Sequence, residues 1–496
     1  MEIIKNFPCL SILMCMFAAI ISSALKGKGA KWLNAFVLIA VGVMSLAVLY
    51  LTVMTGESYI YVMGHFPAPF GNEIRFGSLE AGMALFFCVV MILSLNGGRQ
   101  KLKIEINPSK ENLYYIMVDL LLSSLLALVY TNDLFTAYVF VEINTISACG
   151  LIMITERGHT IEAAARYMIM SLLGSGLFLI GICLLYDLTG HLLMSNIKVG
   201  IDAIAADGTY QAPLLVTIAL IVVGLAIKSA LFPFHAWLPN AYGYSTVSSA
   251  AILSSLVSKG YIFLLIKIIY RVIGFDTFRD SKIINVLFVF GLAGMIMGSL
   301  SAIRENDIRR MISFSSVAQI GYIYMGFGLG TTVGMIASIF HILSHAATKS
   351  LLFVSGSGLT DVSGDHKEFI ELTGSAYRNV CAGLAFTVGS LSMVGIPLFS
   401  GFISKLLFSQ AAVQNAHKML PTLIALAIST ILNTIYFMKT VIRIYTPAGG
   451  KYTSVSVKDN PLYVITLLCF IVLNIVLGMC SGPITNWIAQ GLSVFA

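Results

Sequence analysis

The chain alternates long apolar stretches with short polar breaks along its whole length. A helix needs about 20 apolar residues to cross a bilayer, and stretches of roughly this length recur fourteen times. The pattern therefore predicts an all-α integral membrane protein of about fourteen transmembrane helices. The predicted spans are residues 3–25, 32–54, 78–95, 113–130, 133–155, 165–188, 212–236, 242–271, 283–303, 312–330, 332–357, 379–412, 420–444 and 461–488.

Composition supports a membrane as the solvent. Of the 496 residues, 58% are hydrophobic and 11% are charged, whereas ordinary soluble domains carry about 25% charged residues. No room remains between the spans for a soluble domain. The first apolar stretch is followed by Lys26, Lys28 and Lys31, whereas a signal peptide carries its basic residues before the apolar stretch. We therefore predict a retained first helix.

The basic residues are distributed unevenly between the two sides of the predicted bundle. Seventeen of the 30 lysines and arginines fall in loops on one side and seven on the other. The seven are Lys5, Arg75, Lys198, Arg271, Arg279, Lys282 and Lys418. The positive-inside rule places the richer side in the cytoplasm. We expect a multi-pass protein of the cell inner (cytoplasmic) membrane with both termini outside. This asymmetry accounts for the net charge of +7 without a nucleic-acid partner.

The six remaining basic residues lie inside the predicted spans, and all are lysines. Unlike arginine, a desolvated lysine can lose its proton, and ionisable groups at mid-membrane are functional candidates. Lys228 and Lys259 sit well inside their spans, so we interpret them as proton carriers. Lys267 and Lys439 lie near predicted helix ends, where we expect their side chains to reach the interface. The other two lysines are Lys349 and Lys405.

Two acidic residues also fall inside predicted spans. Glu142 lies about ten residues into its span, at a depth of about 15 Å, where a lone carboxylate needs a cation or a proton. For Asp119 we favour a structural role, with a local hydrogen bond to Ser123 on the same helix. Glu142 is therefore the acidic candidate for the ion path.

A spacing of four residues connects His341, His345 and Lys349 in the predicted eleventh span. Steps of four place the three side chains on one helix face and cover about 12 Å along the axis. Histidine titrates near neutrality, which suits proton exchange with a desolvated lysine. We interpret this face as a proton relay and not as three packing residues.

Two predicted spans contain an internal proline beside polar residues. Pro233 lies between Lys228 and His235, and Pro397 precedes Lys405. Proline removes a helix hydrogen bond, so both helices should be broken, and paired breaks are typical of inverted repeats around an ion path. The expected divisions are N-terminal helices 1–3 in 1–112, a first five-helix repeat in 113–271, a second in 272–445 and a last helix in 446–496.

No cofactor is expected. The eight cysteines are scattered, with no C-x-x-C pair that could hold a metal or an iron–sulfur cluster. Neither a nucleotide-binding phosphate loop nor a dinucleotide-type glycine fingerprint is present. The sequence therefore predicts neither cofactor nor metal binding by this chain.

Five segments between residues 113 and 445 resemble the antiporter-like subunits shared by respiratory complex I, energy-converting hydrogenases and Mrp-type cation/proton antiporters. They are TNDLFTAYVFVEI, IKSALFPFHAWLPNAY, DIRRMISFSSVAQIGYI, HILSHAATKSLLFVSG and GIPLFSGFISKLLF. The chain is most similar to the Mrp D subunit, partly through GHFPAPFG at residues 64–71. It departs from the family pattern at NTISACG after Glu142, at Asp119, and in IPLFSGF, which lacks a second proline.

The resemblance implies a role for each matching residue. Glu142 would pair with Lys228 and modulate its protonation, and Lys259 would be the central relay. His341 and His345 would extend the relay, and Lys405 would be the lysine nearest the opposite exit. The resemblance also includes His235 and Lys349, with less defined roles.

Three functions are compatible with these features. The resemblance favours a proton-translocating antiporter-like subunit of a multisubunit membrane complex, a Mrp-type Na⁺/H⁺ antiporter with no redox centre of its own. The alternative is a proton- or sodium-pumping membrane subunit of a complex I-like NADH/quinone oxidoreductase or energy-converting hydrogenase. A scaffold bundle is disfavoured, because helix packing does not require six intramembrane lysines. The identity of the neighbouring membrane subunits would separate the first two.

Overall fold

The computed structural model describes residues 2–66, 71–447 and 460–495. Residues 67–70 of the GHFPAPFG segment and two basic residues of the charge count, Lys451 and Lys458, lie outside the described residues. The helices of the bundle are α1 (Phe7–Ala24), α2 (Gly27–Thr55), α3 (Ser78–Gly97), α4 (Glu111–Tyr130), α5 (Leu134–Met153), α6 (Gly158–Thr189), α7 (Gln211–Lys228), α8 (Val247–Ile273), α9 (Ile283–Arg304), α10 (Ile308–Gly328), α11 (Thr332–Asp361), α12 (Val380–Val394), α13 (Ser400–Val413), α14 (Ala416–Tyr445), α15 (Pro461–Met479) and α16 (Ser481–Phe495).

Shorter elements form the connections. They are the helices Glu2–Lys5, Arg99–Glu105, Met194–Asp207, Leu238–Tyr244, Phe275–Asp280 and Ser375–Arg378, the single turns Met63–His65 and Pro108–Lys110, and the antiparallel hairpin of β1 (Tyr59–Val62) and β2 (Glu73–Phe76). Polar residues at helix starts satisfy free backbone N–H groups, as where the Asp133 carboxylate accepts from the Thr136 N–H at the start of α5.

The all-α membrane architecture predicted from the apolar stretches is confirmed. Among the described residues, twelve helices are long and apolar enough to cross a membrane, and each coincides with a predicted span. The two other predicted spans correspond to α10, which is rich in serine, and to the pair α12 and α13. The chain is a multi-pass membrane protein, while the count of fourteen spans remains a prediction.

Helices α8 and α11 occupy the centre of the bundle. The most apolar 18-residue stretch of α8 is entirely buried and that of α11 is 94% buried, whereas the corresponding stretch of α2 is only 39% buried. Apolar side chains on the outer helices remain exposed, including Phe36 and Ile39 on α2. This arrangement places the lysines and histidines of α8 and α11 away from the lipid-facing surface.

The two proline-containing segments break their helices in a similar way. After α7, Ala230 adopts a left-handed conformation (φ 63°), and the Leu231 N–H bonds back to the Ala226 carbonyl at 3.0 Å. After α12, Gly395 is left-handed (φ 90°), and the Ile396 N–H bonds back to the Leu391 carbonyl at 3.0 Å. Both ends therefore carry the same C-terminal hydrogen-bond pattern. The inverted repeats and the divisions at residues 112, 271 and 445 remain predictions.

Candidate functional site

The Glu142 and Lys228 side chains meet between α5 and α7. The Glu142 Oε1 lies 3.9 Å from the Lys228 Nζ, and the lysine side chain is 0% exposed against 23% for the glutamate. Lys228 is the last residue of α7 before the break. Its ammonium donates a hydrogen bond to the Thr145 hydroxyl at 2.6 Å. The pair that the family resemblance implies is thus in ion-pair range, with the lysine buried and the glutamate partly exposed.

The polar residues that follow Glu142 connect this pair to α8. The Tyr261 hydroxyl donates to the Asn144 side-chain oxygen at 2.9 Å, and the Asn144 amide donates to the Ser124 hydroxyl at 2.9 Å. The Lys228 Nζ lies 5.7 Å from the centre of the Tyr261 ring. The NTISACG departure therefore supplies contacts of the candidate site that sequence reasoning missed.

Lys259 lies on the fully buried helix α8, two residues before Tyr261. Its side chain is 0% exposed, and its ammonium donates to the Ser254 carbonyl oxygen. That carbonyl belongs to Leu253–Val257, a wider π-helical turn of the kind often found at functional sites. Lys259 also lies close enough to His341, His345 and Lys349 on α11 to interact with them electrostatically. It occupies the centre of the candidate path.

The α11 residues spaced by four share one helix face. The His341 and His345 rings stack at 5.8 Å between centroids, and Tyr322 stacks on His341 at 5.5 Å. The His341 Nδ1 is 2.5 Å from the Ser404 hydroxyl. In the described part of the chain, neither ring nitrogen of His345 has a hydrogen-bond partner. These nitrogens are buried and available to hold a proton or a water molecule.

Lys349 is turned toward α10. Its side chain is 0% exposed and its ammonium donates to the Ile312 carbonyl at 2.7 Å and to the Ser315 hydroxyl. It continues the α11 face beyond His345. The structure therefore brings Lys349 close to the candidate path with neutral acceptors around it.

Lys405 lies on α13, on the other side of the second helix break. Its ammonium donates to the carbonyl of Val394, the last residue of α12, at 2.6 Å and to the Thr430 hydroxyl of α14 at 2.9 Å. It lies 6.0 Å from the Tyr322 ring, which itself stacks on His341. Tyr322 therefore stands between the α11 histidines and Lys405.

A neighbouring polar cluster was not foreseen from the sequence. The Asn474 side-chain oxygen on α15 accepts hydrogen bonds from Thr348 at 2.7 Å, from Ser392 at 3.2 Å and from Ser400 at 3.2 Å. The sequence feature that could have indicated this cluster is Asn474, a polar residue within an apolar stretch. The cluster joins α11, α12, α13 and α15 beside the second break.

His235 and Asp119 take positions away from these contacts. The His235 ring stacks on Phe232 at 5.2 Å in the break after α7, and its part in an ion path remains a prediction. The expected bond between Asp119 and Ser123 is wrong. Asp119 accepts from the Asn34 amide of α2 at 2.6 Å, and Ser123 donates to the Ile12 carbonyl of α1 at 3.1 Å, so both side chains bond to neighbouring helices and not to each other.

The interface position expected for Lys267 is also wrong. Its side chain is 0% exposed, and its ammonium donates to carbonyls at the end of α4, those of Leu128, Val129 and Thr131. One turn further, Arg271, which we assigned to a loop, is buried in an ion pair with Glu80 of α3 at 2.5 Å. The free carbonyls of a helix end attract cations, so these partners hold both residues inside the bundle.

Comparisons with known proteins match this arrangement. The sequence profile of the family described as NADH:quinone oxidoreductase/Mrp antiporter, TM matches residues 131–432. The chain is 30% identical over 450 residues to NADH-quinone oxidoreductase subunit N of Desulforudis audaxviator, covering 89% of this chain and 86% of that protein. It is 29% identical over 427 residues to the putative antiporter subunit mnhD2 of Staphylococcus haemolyticus, covering 83% and 81%.

Two solved structures share the fold. A chain of the membrane-bound sulfane sulfur reductase, an archaeal respiratory membrane complex, has a TM-score of 0.87 at 25% identity, with 100% of this chain and 98% of that chain covered. A chain of the Mrp complex from Dietzia sp. DQ12-45-1b has a TM-score of 0.84 at 23% identity, with 99% and 97% covered. The resemblance described from five sequence segments is thereby confirmed.

Proposed function

Because the chain belongs to the NADH:quinone oxidoreductase/Mrp antiporter family and is an antiporter-like membrane subunit, we propose that it carries protons along a central line of side chains. The line begins at Glu142 and Lys228, passes Lys259 in the bundle centre, and continues along α11 to Lys405. The members on α11 are His341, His345 and Lys349. His235 is proposed as an accessory group at the first helix break, near Pro233.

The observation that carries this proposal is the lack of fixed counter-ions around the buried Lys259 and Lys349 and the half-buried Lys405. Among the described residues, no carboxylate lies within 4 Å of the ammonium groups of Lys259, Lys349 or Lys405; their partners are carbonyls and hydroxyls. A permanently charged buried ammonium is costly without an opposite charge. Neutral acceptors can instead accommodate both the ammonium and the neutral amine, which a proton carrier requires.

Glu142 supplies the one carboxylate of the line. At 3.9 Å from the Lys228 Nζ, it favours the protonated lysine without forming the short hydrogen bond that Thr145 provides. Moving Glu142 or changing its charge would therefore alter how readily Lys228 holds a proton. This coupling supports an entry or control point at the partly exposed Glu142.

We propose that the chain works with other membrane subunits of a Mrp-type Na⁺/H⁺ antiporter in the cell inner membrane, with both termini outside. The Staphylococcus relative named as an antiporter subunit supports this assignment. The alternative is a redox-driven pump, and it is favoured by the relative named NADH-quinone oxidoreductase subunit N and by the sulfane sulfur reductase structure. In that case, redox chemistry on neighbouring chains would drive proton transfer through the same lysines.

The test reconstitutes the assembled complex in vesicles with a pH-sensitive dye. A sodium pulse should drive proton movement in the wild type, Lys228→Ala should abolish it, and Lys439→Ala should leave it unchanged because Lys439 is exposed. Normal flux in Lys228→Ala would overturn the proton path. Proton movement that requires an electron donor and ignores the sodium pulse would replace the antiporter assignment with the pump.

A further inference from the structure

A cavity opens on one face of the bundle, where α2 and α4 begin and α3 ends. It has a volume of 480 Å³ and its lining includes Lys28, Lys31, Arg99 and Lys103. None of these four side chains makes a hydrogen bond or an ion pair within 4 Å in the described part of the chain, in contrast to nearby Lys101 and Lys110. We call this space the basic cavity.

One carboxylate also borders the basic cavity. Glu111, at the start of α4, lines it and packs against Gly27 at the start of α2, where a Cβ on Gly27 would meet the Glu111 Oε2 at 2.6 Å. Four cations against one carboxylate leave an excess of positive charge. The cavity therefore favours a ligand with negative charge.

A second space of 260 Å³ continues from the basic cavity along the bundle. Both share Lys31, Trp32, Arg99 and Tyr115 as lining residues. Beyond them the second space is mainly apolar, with Ala35, Leu38 and Ile39 from α2 and Ile92 and Leu95 from α3. We call it the apolar groove.

The direction of the groove follows from the helices that line it. From Lys31 to Ile39, α2 advances by about 12 Å at 1.5 Å per residue. The lining from the short helix Arg99–Glu105 and the end of α3 runs in the opposite direction, from Arg99 back to Leu95 and Ile92. The charged residues Lys31 and Arg99 therefore lie at the mouth, and the apolar residues of α2 and α3 lie toward the membrane interior. Trp32, which is 74% exposed, stands at the mouth, a common position for tryptophan at membrane interfaces.

We propose that the basic cavity and the apolar groove together bind an anionic phospholipid. The phosphate lies between Lys31 and Arg99, within reach of Lys28 and Lys103, and one acyl chain follows Ala35, Leu38 and Ile92. A free phosphate would use only the cations and leave the groove empty, whereas a lipid uses both. Basic pockets between membrane helices are known to hold anionic head groups.

The test measures lipid retention by the full-length chain in detergent, using native mass spectrometry with phosphatidylglycerol and phosphatidylcholine as probes. Wild type should retain phosphatidylglycerol in preference to phosphatidylcholine. Lys103→Gln, at an exposed position, should weaken retention about 5-fold, and Lys31→Gln with Arg99→Gln about 25-fold. Lys26→Gln is the matched control, because it removes an exposed charge from the same segment outside the cavity and should have no effect.

Ala35→Trp separates a lipid from a free anion. Tryptophan should fill the groove and abolish phosphatidylglycerol retention while the four cations remain. Equal retention of both lipids, unchanged retention in Ala35→Trp, or equal effects of Lys103→Gln and Lys26→Gln would overturn the proposal. Loss of the lipid on assembly with partner subunits would also overturn it, in favour of an acidic protein segment.

Discussion

The Lys405 ammonium lies 2.6 Å from the carbonyl oxygen of Val394, the residue at which α12 ends. The carbonyls at a helix C-terminus carry partial negative charge and lack intrahelical donors. Lys405 therefore stabilises the broken end of α12 from across the Pro397 segment. A group in the proposed proton path is also a structural partner of the break.

We expect Lys405→Met to abolish proton flux and to lower the free energy of unfolding by up to about 2 kcal/mol, the range for a cation at a helix C-terminus. Vesicle flux and thermal unfolding in detergent measure the two effects. Lys439→Met is the control on α14. Wild-type stability in Lys405→Met would show that the contact with Val394 contributes nothing.

Lys259→Arg should be as damaging to flux as Lys259→Ala. Arginine keeps the positive charge but does not release its proton, so it cannot serve as a carrier. The comparison uses assembled complexes in vesicles at matched protein content. An arginine variant that transports near the wild-type rate would make Lys259 a fixed electrostatic group and remove it from the path.

Glu142→Ala and Lys228→Ala should each abolish, or nearly abolish, flux while the complex stays assembled. Each change leaves its partner without the opposite charge 3.9 Å away, and each residue is needed to set the protonation of the other. Thr145→Val keeps the pair and removes only the hydroxyl, so it should retain partial flux. Normal transport in either alanine variant would contradict the pairing.

His345 provides a test of the α11 face. Glutamine at this position retains polarity and can hold a water molecule, so His345→Gln should keep partial flux, whereas His345→Phe should stop it. Size-exclusion chromatography checks assembly before proton flux is measured. Near-normal flux in both variants would mean that protons do not use this face and that the spacing of four serves packing alone.

We expect the carboxyl of Glu105 to make the stability of the protein depend on pH. It lies outside the spans in Arg99–Glu105, where burial raises the pKa of its carboxyl above the usual 4.5 despite the opposing charges of Arg309 and Lys101. Above pH 4.5 the folded state therefore binds more protons than the unfolded state, and the free energy of unfolding falls as pH rises to the raised pKa. Glu105→Gln removes the titratable carboxyl and should therefore remove this pH-dependent decrease in the free energy of unfolding.

Thermal unfolding across that pH window measures the Glu105 effect. Glu105→Gln should gain stability relative to wild type as pH rises, while Glu57→Gln, at an exposed position, should follow the wild-type curve. Parallel curves for Glu105→Gln and wild type would contradict the linkage.

Local sequence patterns predicted the structural features that depend on residues close together in the chain. The spacing of His341 and His345 placed them on one face, and their rings stack at 5.8 Å. Apolar length predicted the membrane helices, and Pro233 and Pro397 lie in the two interrupted segments. Helical period and proline chemistry are local, so the sequence is sufficient for such features.

Contacts between distant segments could not be predicted in the same way. Arg271 and Glu80 are separated by 191 residues, and Asn34 and Asp119 by 85. Hydropathy placed Arg271 in a loop because a buried arginine is recognisable only once its carboxylate partner is known. The burial of Lys267 likewise depends on its hydrogen bonds to backbone carbonyls at the end of α4. Every residue has a backbone carbonyl, so the sequence does not indicate which of them a lysine contacts.

The contacts of Arg271 and Arg75 with the end of α16 have a practical consequence for labelling. The Arg271 guanidinium lies 4.2 Å from the centre of the Phe495 ring, and Arg75 donates to the Val494 carbonyl at 3.1 Å. The helix α16 thus contacts Arg271 at the end of α8 and Arg75 in β2. A bulky reporter attached at Val494 or Phe495 would disturb these contacts at the end of the helix that carries Lys259, so a label on α16 belongs at a residue away from them.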